Sequence, residues 1–108
     1  MERRKHHRIE ASHPVLYYSD IYPRPKVAST LDISLGGAKI ETRYSLMRHE
    51  GLDISIAIQP YVIKCRGKVM YVLNSNGERL RAGVRFDDIS SQDSLSLGRY
   101  ISSIMEQR

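Results

Sequence analysis

From Leu52 to Gln59 the chain alternates without a break: Leu52, Ile54, Ile56 and Ile58 fall on one side, and Asp53, Ser55, Ala57 and Gln59 on the other. A period of two is the pleat of a strand with one buried and one wet face, and it excludes an amphipathic helix over these residues. Its neighbours repeat the pattern in shorter pieces. Val15 to Ser19 is a brief apolar and aromatic run that ends at Asp20, and Pro23-Arg24-Pro25 then interrupts any ladder because proline donates no amide hydrogen. From Val27 to Ser34, Val27, Ser29, Leu31 and Ile33 share one side, and Ala28, Thr30, Asp32 and Ser34 share the other. Gly36-Gly37 breaks the pattern, after which Ala38 and Ile40 point in while Lys39 and Glu41 point out, as in a hairpin. Ile63 to Leu73 is a longer strand whose Ile63, Cys65, Val69, Tyr71 and Leu73 share a parity, with Gly67 marking a bend or bulge. Asn76-Gly77 signals a tight hairpin, and Leu80, Ala82, Val84 and Phe86 then face inward, with Arg79, Arg81 and Arg85 outward.

The period changes at the end of the chain. Ser90 is an N-cap with Asp93 at the third helical position, and Leu97, Tyr100, Ile101, Ile104 and Met105 recur at helical spacing. The stripe needs a sheet face or barrel mouth to cover. A chain of 108 residues has room for about one domain. The economical architecture is mostly β: a small six-stranded antiparallel barrel, closed so that no strand edge is left exposed, with a C-terminal α-helix. The longest apolar run, Val69 to Leu73, is far short of the ~20 residues that cross a bilayer, so no membrane span is expected. The charged N-terminus lacks the apolar stretch of a signal peptide. The single cysteine, Cys65, forms no internal disulfide and alternates with core positions, which fits a reducing cytoplasm and a small buried hydrophobe.

Seventeen Lys and Arg against 12 Asp and Glu give a net charge of +5, which favours an anionic partner. Arg3, Arg4, Lys5 and Arg8 crowd the start of the chain beside His6 and His7, with no apolar periodicity. Residues 1–13 therefore read as a flexible basic arm, and residues 14–108 as the barrel with its helix. No catalytic residue is expected. His6, His7 and His13 sit in the arm as surface histidines and His49 in a polar loop, away from any nucleophile and orienting carboxylate, and a mobile arm does not fix the ligands of a metal.

Two clusters carry recognition chemistry. One is Arg4-Lys5-His6-His7-Arg8, an Arg-x-x-x-Arg spacing; the other is Asp32-Ile33-Ser34-Leu35-Gly36-Gly37 at a strand end. Arginine suits phosphates and the O6/N7 edge of guanine, a carboxylate accepts from guanine's imino and amino hydrogens, and a serine hydroxyl serves either. Together they describe a guanine nucleotide. The bland readings are a solvated terminus for the arginines, a turn-capping bond for Asp32 and Ser34, and a tight turn for the glycines.

In this order and at this chain length, the clusters resemble the PilZ domain family. Arg4 and Arg8 match its Arg-x-x-x-Arg, and Asp32, Ser34 and Gly37 match its Asp/Asn-x-Ser-x-x-Gly. Gly67-Lys68-Val69-Met70-Tyr71-Val72 looks like the family's Gly-x-Val-x-aromatic strand, and Gly83-Val84-Arg85-Phe86 precedes the terminal helix as it does there. His6 stands where many members carry an aromatic, and Tyr71 where a tryptophan is common. The resemblance implies a receptor for cyclic di-GMP, with no cofactor, whose conformation changes on binding and is read by a downstream protein partner. Arg4 and Arg8 would clamp the ligand, Asp32 would accept from guanine, Ser34 would donate to a ligand oxygen and Gly37 would keep the turn tight. Arg3, Gly36 and Tyr71 are secondary candidates: Arg3 for a phosphate, and Tyr71 either stacked on a base or, by its parity, part of the core. The competing expectations are an interaction protein of the same fold that binds no nucleotide, and a small barrel for single-stranded nucleic acid, against which stands the lack of an aromatic row on any strand face.

Overall fold

The computed structural model describes residues 7–74 and 77–107. It contains β1 (Ile9–Glu10), β2 (Pro14–Ser19), β3 (Lys26–Ile33), β4 (Gly37–Thr42), β5 (Gly51–Ile58), β6 (Tyr61–Asn74), β7 (Leu80–Ile89) and α1 (Ser91–Glu106). Every pairing is antiparallel, in the order β3-β2-β5-β6-β7-β4, and β4 returns to β3 to close a six-stranded barrel. The short β1 shares an edge of β3 with β2: Ile9 pairs with Ile33 and Glu10 with Asp32 at one end, and Pro14 to Tyr17 pair with Lys26 to Ser29 at the other. Between them the Thr30 hydroxyl accepts from His13 N at 2.9 Å and donates to the Ala11 carbonyl, so the kink at residues 11–13 is bonded to β3 on both sides of Ser12.

This pairing corrects the arm boundary. Ile9 is 1% exposed and lies in the core, so the chain is tied to the barrel from Ile9 onward. Burying one isoleucine is worth ~1.5–3 kcal/mol, and the sequence gives no sign of it because a single apolar residue has no period. His13 differs likewise from a surface histidine: it is half-buried, and its Nε2 lies 2.7 Å from Tyr100 Oη on the helix.

The strand β5 follows its alternation throughout, with Leu52, Ile54, Ile56 and Ile58 buried. In three places a β-bulge shifts the register, and each moves side chains relative to a plain alternation. One extra residue in β3, Leu31, sits between Thr30 and Asp32, so Ala28, Thr30 and Ile33 point inward while Val27 is 64% exposed. Met70 is the extra residue in β6, which turns Val72 inward and leaves Leu73 exposed and Tyr71 outside the core. Near Gly67 the extra residue is Asp87 on β7. The irregularity expected at Gly67 thus falls there, with the extra residue on the partner strand, and Gly67 is also a close-packing point, since a β-carbon there would press on Val84 Cγ1 at 2.7 Å and Ile54 Cδ1 at 2.8 Å.

The helix closes one mouth of the barrel. Ser90 Oγ accepts from Asp93 N at 3.1 Å, as the cap pattern predicts, and Asp93 Oδ2 also accepts from Lys64 N at 3.0 Å, pinning the first turn to β6. Leu97 and Ile101 are buried, Tyr100 and Ile104 pack against the core, and Met105 stays largely exposed. The core then runs through the barrel from these side chains to Tyr17, whose hydroxyl meets Thr42 Oγ1 at 2.9 Å.

Two outcomes follow from this packing. Leu97→Ala, which empties a fully buried position under the helix, should cost ~2–5 kcal/mol in urea unfolding. Burial holds the His13 pKa below its ordinary value of 6.5, so the unfolded chain takes up this proton more readily than the folded one. Stability from the His13 contact is therefore complete above pH 6.5 and is lost as pH falls through the lowered folded value. The urea midpoint of the native chain should drop in that window, and in His13→Phe that step should be absent.

Candidate functional site

The pairing of β1 with β3 places Arg8 beside Asp32. Arg8 precedes Ile9 directly, and once Glu10 is registered opposite Asp32 the arginine side chain reaches across the strand pair. Arg8 Nη1 lies 3.5 Å from Asp32 Oδ1, with the two side chains 33% and 16% exposed. That is longer than the ~2.7–2.9 Å of a direct charge-assisted hydrogen bond, so the two charges attract while the guanidinium keeps its donors. Asp32 Oδ1 also accepts from Lys39 N at 3.3 Å, whereas Oδ2 has no partner among the described residues. The site thus presents an arginine donor set and an open carboxylate acceptor side by side. Arg3 and Arg4 lie outside the described residues, as does His6.

The turn from β3 to β4 is built by the other motif residues. Ser34 N donates to the Gly37 carbonyl at 2.8 Å, Ser34 Oγ accepts from Gly36 N at 3.2 Å, and it donates to Gly37 O at 3.3 Å. Ser34 is 6% exposed, so its hydroxyl is spent on shaping the turn. Gly36 O accepts from Phe86 N at 2.8 Å, which ties the turn to β7. Gly37 meets that same strand, and a β-carbon there would collide with the Val84 carbonyl oxygen. Glycine is required by this close approach, not by an unusual φ.

Two residues join the site through cross-strand register. Lys39 is directly opposite Asp32, and Gly83 is opposite both Lys39 and Tyr71. A row therefore crosses the outer wall from Asp32 to Lys39 to Gly83, and the Tyr71 ring lies flat on Gly83, where a β-carbon would strike its ring atoms. The expected core position for Tyr71 is thus replaced by a half-buried one on the outer wall, because of the bulge at Met70. Lys39 was legible as outward-pointing, but its place opposite Asp32 depends on the Leu31 bulge, which no local pattern announces.

Two chemistry-bearing groups elsewhere are held within the fold. Arg66 spans Asp20 and Asp53 on the β5–β6 wall at 2.8–3.1 Å, and its hydrogen bond holds the Asp20 carboxyl below the usual carboxylate range. Cys65 is buried, and burial, reinforced by Asp93, pushes its thiol up to about 12, which removes it as a nucleophile near neutral pH.

The Leu35 side chain, between Ser34 and Gly36, faces the helix: a β-carbon on Gly98 would sit 3.6 Å from Leu35 Cδ2. Together with His7, Leu95 and Met105 it borders an open groove of about 930 Å3 along α1. The turn that carries Ser34 and Gly37 thereby borders the same groove as the helix.

Comparison with known proteins fits this architecture. The chain superimposes on the Bacillus subtilis inhibitor of motility MotI/DgrA with a TM-score of 0.86 at 20% identity, covering 100% of this chain and 54% of that one. On the PilZ domain of Escherichia coli YcgR with c-di-GMP the score is 0.78 at 18% identity, covering 98% and 94%. At these identities the likeness is one of fold. An uncharacterized protein of Aquifex aeolicus (strain VF5) is 28% identical over 102 residues, 94% of this chain and 49% of its own length. The chain thus spans about half the length of the Aquifex relative and of the Bacillus protein. The pattern of the PilZ domain matches residues 2–103, nearly the whole sequence, and the chain belongs to the PilZ domain family.

Proposed function

We propose that this chain is a receptor for cyclic di-GMP that performs no chemistry on it. The observation that carries the reading is the 3.5 Å contact between Arg8 and Asp32, because it joins the two separated motifs at one end of the barrel. A cyclic dinucleotide has two phosphates and two guanine bases, and the site offers both complements. Arg8 and Arg4 contribute donors to phosphate oxygens and to guanine O6 and N7. Asp32, through Oδ2, accepts from the imino and amino hydrogens that adenine lacks in that arrangement. Ser34 acts first by holding the turn, and its 3.3 Å bond to Gly37 is weak enough to yield to a ligand oxygen. Gly36 and Gly37 keep the backbone low against β7, Tyr71 offers a ring face on the same outer wall, and Arg3 adds a phosphate contact.

The movement proposed on binding is that of the basic segment that carries Arg3, Arg4 and Lys5. Two phosphate charges draw that basic segment onto the barrel, where Arg8 is already anchored by Ile9. Charge-assisted bonds must exceed the ~1–2 kcal/mol of backbone entropy lost per ordered residue. The ordered segment, with the helix reached through Leu35, is then the surface that a downstream protein reads.

Titration calorimetry tests the reading. Arg8→Ala should lose ~2–5 kcal/mol of cyclic di-GMP affinity while its melting temperature changes little. Undiminished affinity in this variant removes the clamp. Asp32→Ala should lower the preference for cyclic di-GMP over cyclic di-AMP by about tenfold or more, since one charged hydrogen-bond acceptor is worth ~1.5–3 kcal/mol. A variant that keeps its full preference for guanine would show that Asp32 serves only the turn.

A further inference from the structure

The far end of β3 and β4 carries a second feature that the nucleotide site does not use. Tyr22 and Val27 are each 64% exposed and Met47 65%, with Tyr44 exposed on the same loop as Met47. Val27 pairs across the strands with Leu16, which is also exposed, so the apolar surface continues from the loops onto the β2–β3 wall. Isolated exposed hydrophobics are ordinary, but a contiguous set rimmed by charge marks an interaction surface.

The unpaired charges around it have one sign. Lys26 Nζ stands 5.1 Å from the centre of the Tyr22 ring and 5.4 Å from that of Tyr44, held between the two loops by cation–π attraction. Arg24 lies on the first loop and Arg43 and Arg48 on the second. Among the described residues none of these four cations makes an ion pair. The nearby acids are occupied: Asp20 by Arg66, Glu41 by Arg79 and Arg81, and buried Glu50 by Ser19 Oγ and Met47 N. The surface is therefore apolar and aromatic with unneutralised positive charge, and its complement is apolar with negative charge.

We propose that this end of the barrel docks an acidic protein segment that carries aromatic or aliphatic anchors. Such a segment suits the relief better than a bilayer or a nucleic acid. Part of the apolar area lies on the strand wall rather than on loop tips, beside a depression of about 280 Å3 bordered by Val27, Thr42 and Tyr44, with Arg43 and the ion-paired Glu41 and Arg79 at its rim. Lys26 already occupies the space between the tyrosine rings where a base would stack. Val27 and Asp32 are ~17 Å apart along β3 at ~3.3 Å per residue, so the surface is separate from the nucleotide site and the proposal does not rest on cyclic di-GMP binding.

The test uses the full chain, labelled for amide spectra, against four probes: an acidic glutamate–tyrosine copolymer, polyglutamate, phosphatidylglycerol vesicles and oligothymidylate. The copolymer should bind most tightly and shift amides at residues 21–29 and 41–48. Lys26→Glu with Arg43→Glu should weaken it at least about tenfold, and Tyr22→Ser with Val27→Ser at least about threefold. If either pair fails to fold, Arg24→Glu with Arg48→Glu, and Met47→Ser alone, take their places. Tighter binding of vesicles or oligonucleotide, equal binding of polyglutamate, no effect of the apolar substitutions, or no binding of the copolymer each overturns the proposal.

Discussion

Pairing along both edges of β3 is the constraint on which the arrangement rests. One edge takes β4 and closes the barrel; the other takes β2 over half its length and β1 over the remainder. Because Glu10 must sit opposite Asp32, Arg8 arrives at the carboxylate without any long-range search. The same strand bends at Leu31, which brings Lys39 opposite Asp32 and turns Ile33 inward under the helix. Removing the β1 pairing would separate Arg8 from Asp32 and expose Ile9 together.

The site is rigid on one side and adaptable on the other. Gly37 against the Val84 carbonyl and Gly36 bonded to Phe86 fix the turn to the barrel, so Asp32 is held before any ligand arrives. Arg8 is held only by an ion contact at partial exposure, worth little as stability and therefore cheap to redirect. This division suits the proposed receptor: Asp32, the group proposed to read a base, is preorganised, and Arg8 is cheap to redirect. Leu35 faces Gly98 across the groove along α1, whose seat is set by Leu97, Ile101 and the His13–Tyr100 contact.

Most of the scaffold was legible in the sequence because its signals are local. The alternation from Leu52 to Ile58, the Ser90 cap with Asp93 and the stripe of Leu97 and Ile101 each depend on a few adjacent residues, and each stands where the sequence predicts it. Positive φ at Gly77 agrees with the expected turn, although Asn76 lies outside the described residues. Illegible were the bulges at Leu31 and Met70, which are set by where the neighbouring strand runs rather than by the bulged residue, whereas the irregularity beside Gly67 was signalled by that glycine. They account for the outward Val27 and for Tyr71 resting on Gly83 instead of in the core. Ile9 and His13 were read as arm because isolated residues give no period, yet one is buried and the other bonded to the helix. Of the candidate site, Asp32, Ser34, Gly36 and Gly37 were found together from their spacing, while the approach of Arg8 needed the β1–β3 register.

The central claim is that a guanine base is read at Asp32, and intermolecular nuclear Overhauser contacts test it most directly. With the chain isotopically labelled and cyclic di-GMP unlabelled, a guanine imino proton should show contacts to the Lys39 amide and to the turn at Ser34 to Gly37, and none to the β5–β6 wall. Contacts confined to that wall, or a saturated complex with no guanine contact near Asp32 and Lys39, would contradict the account.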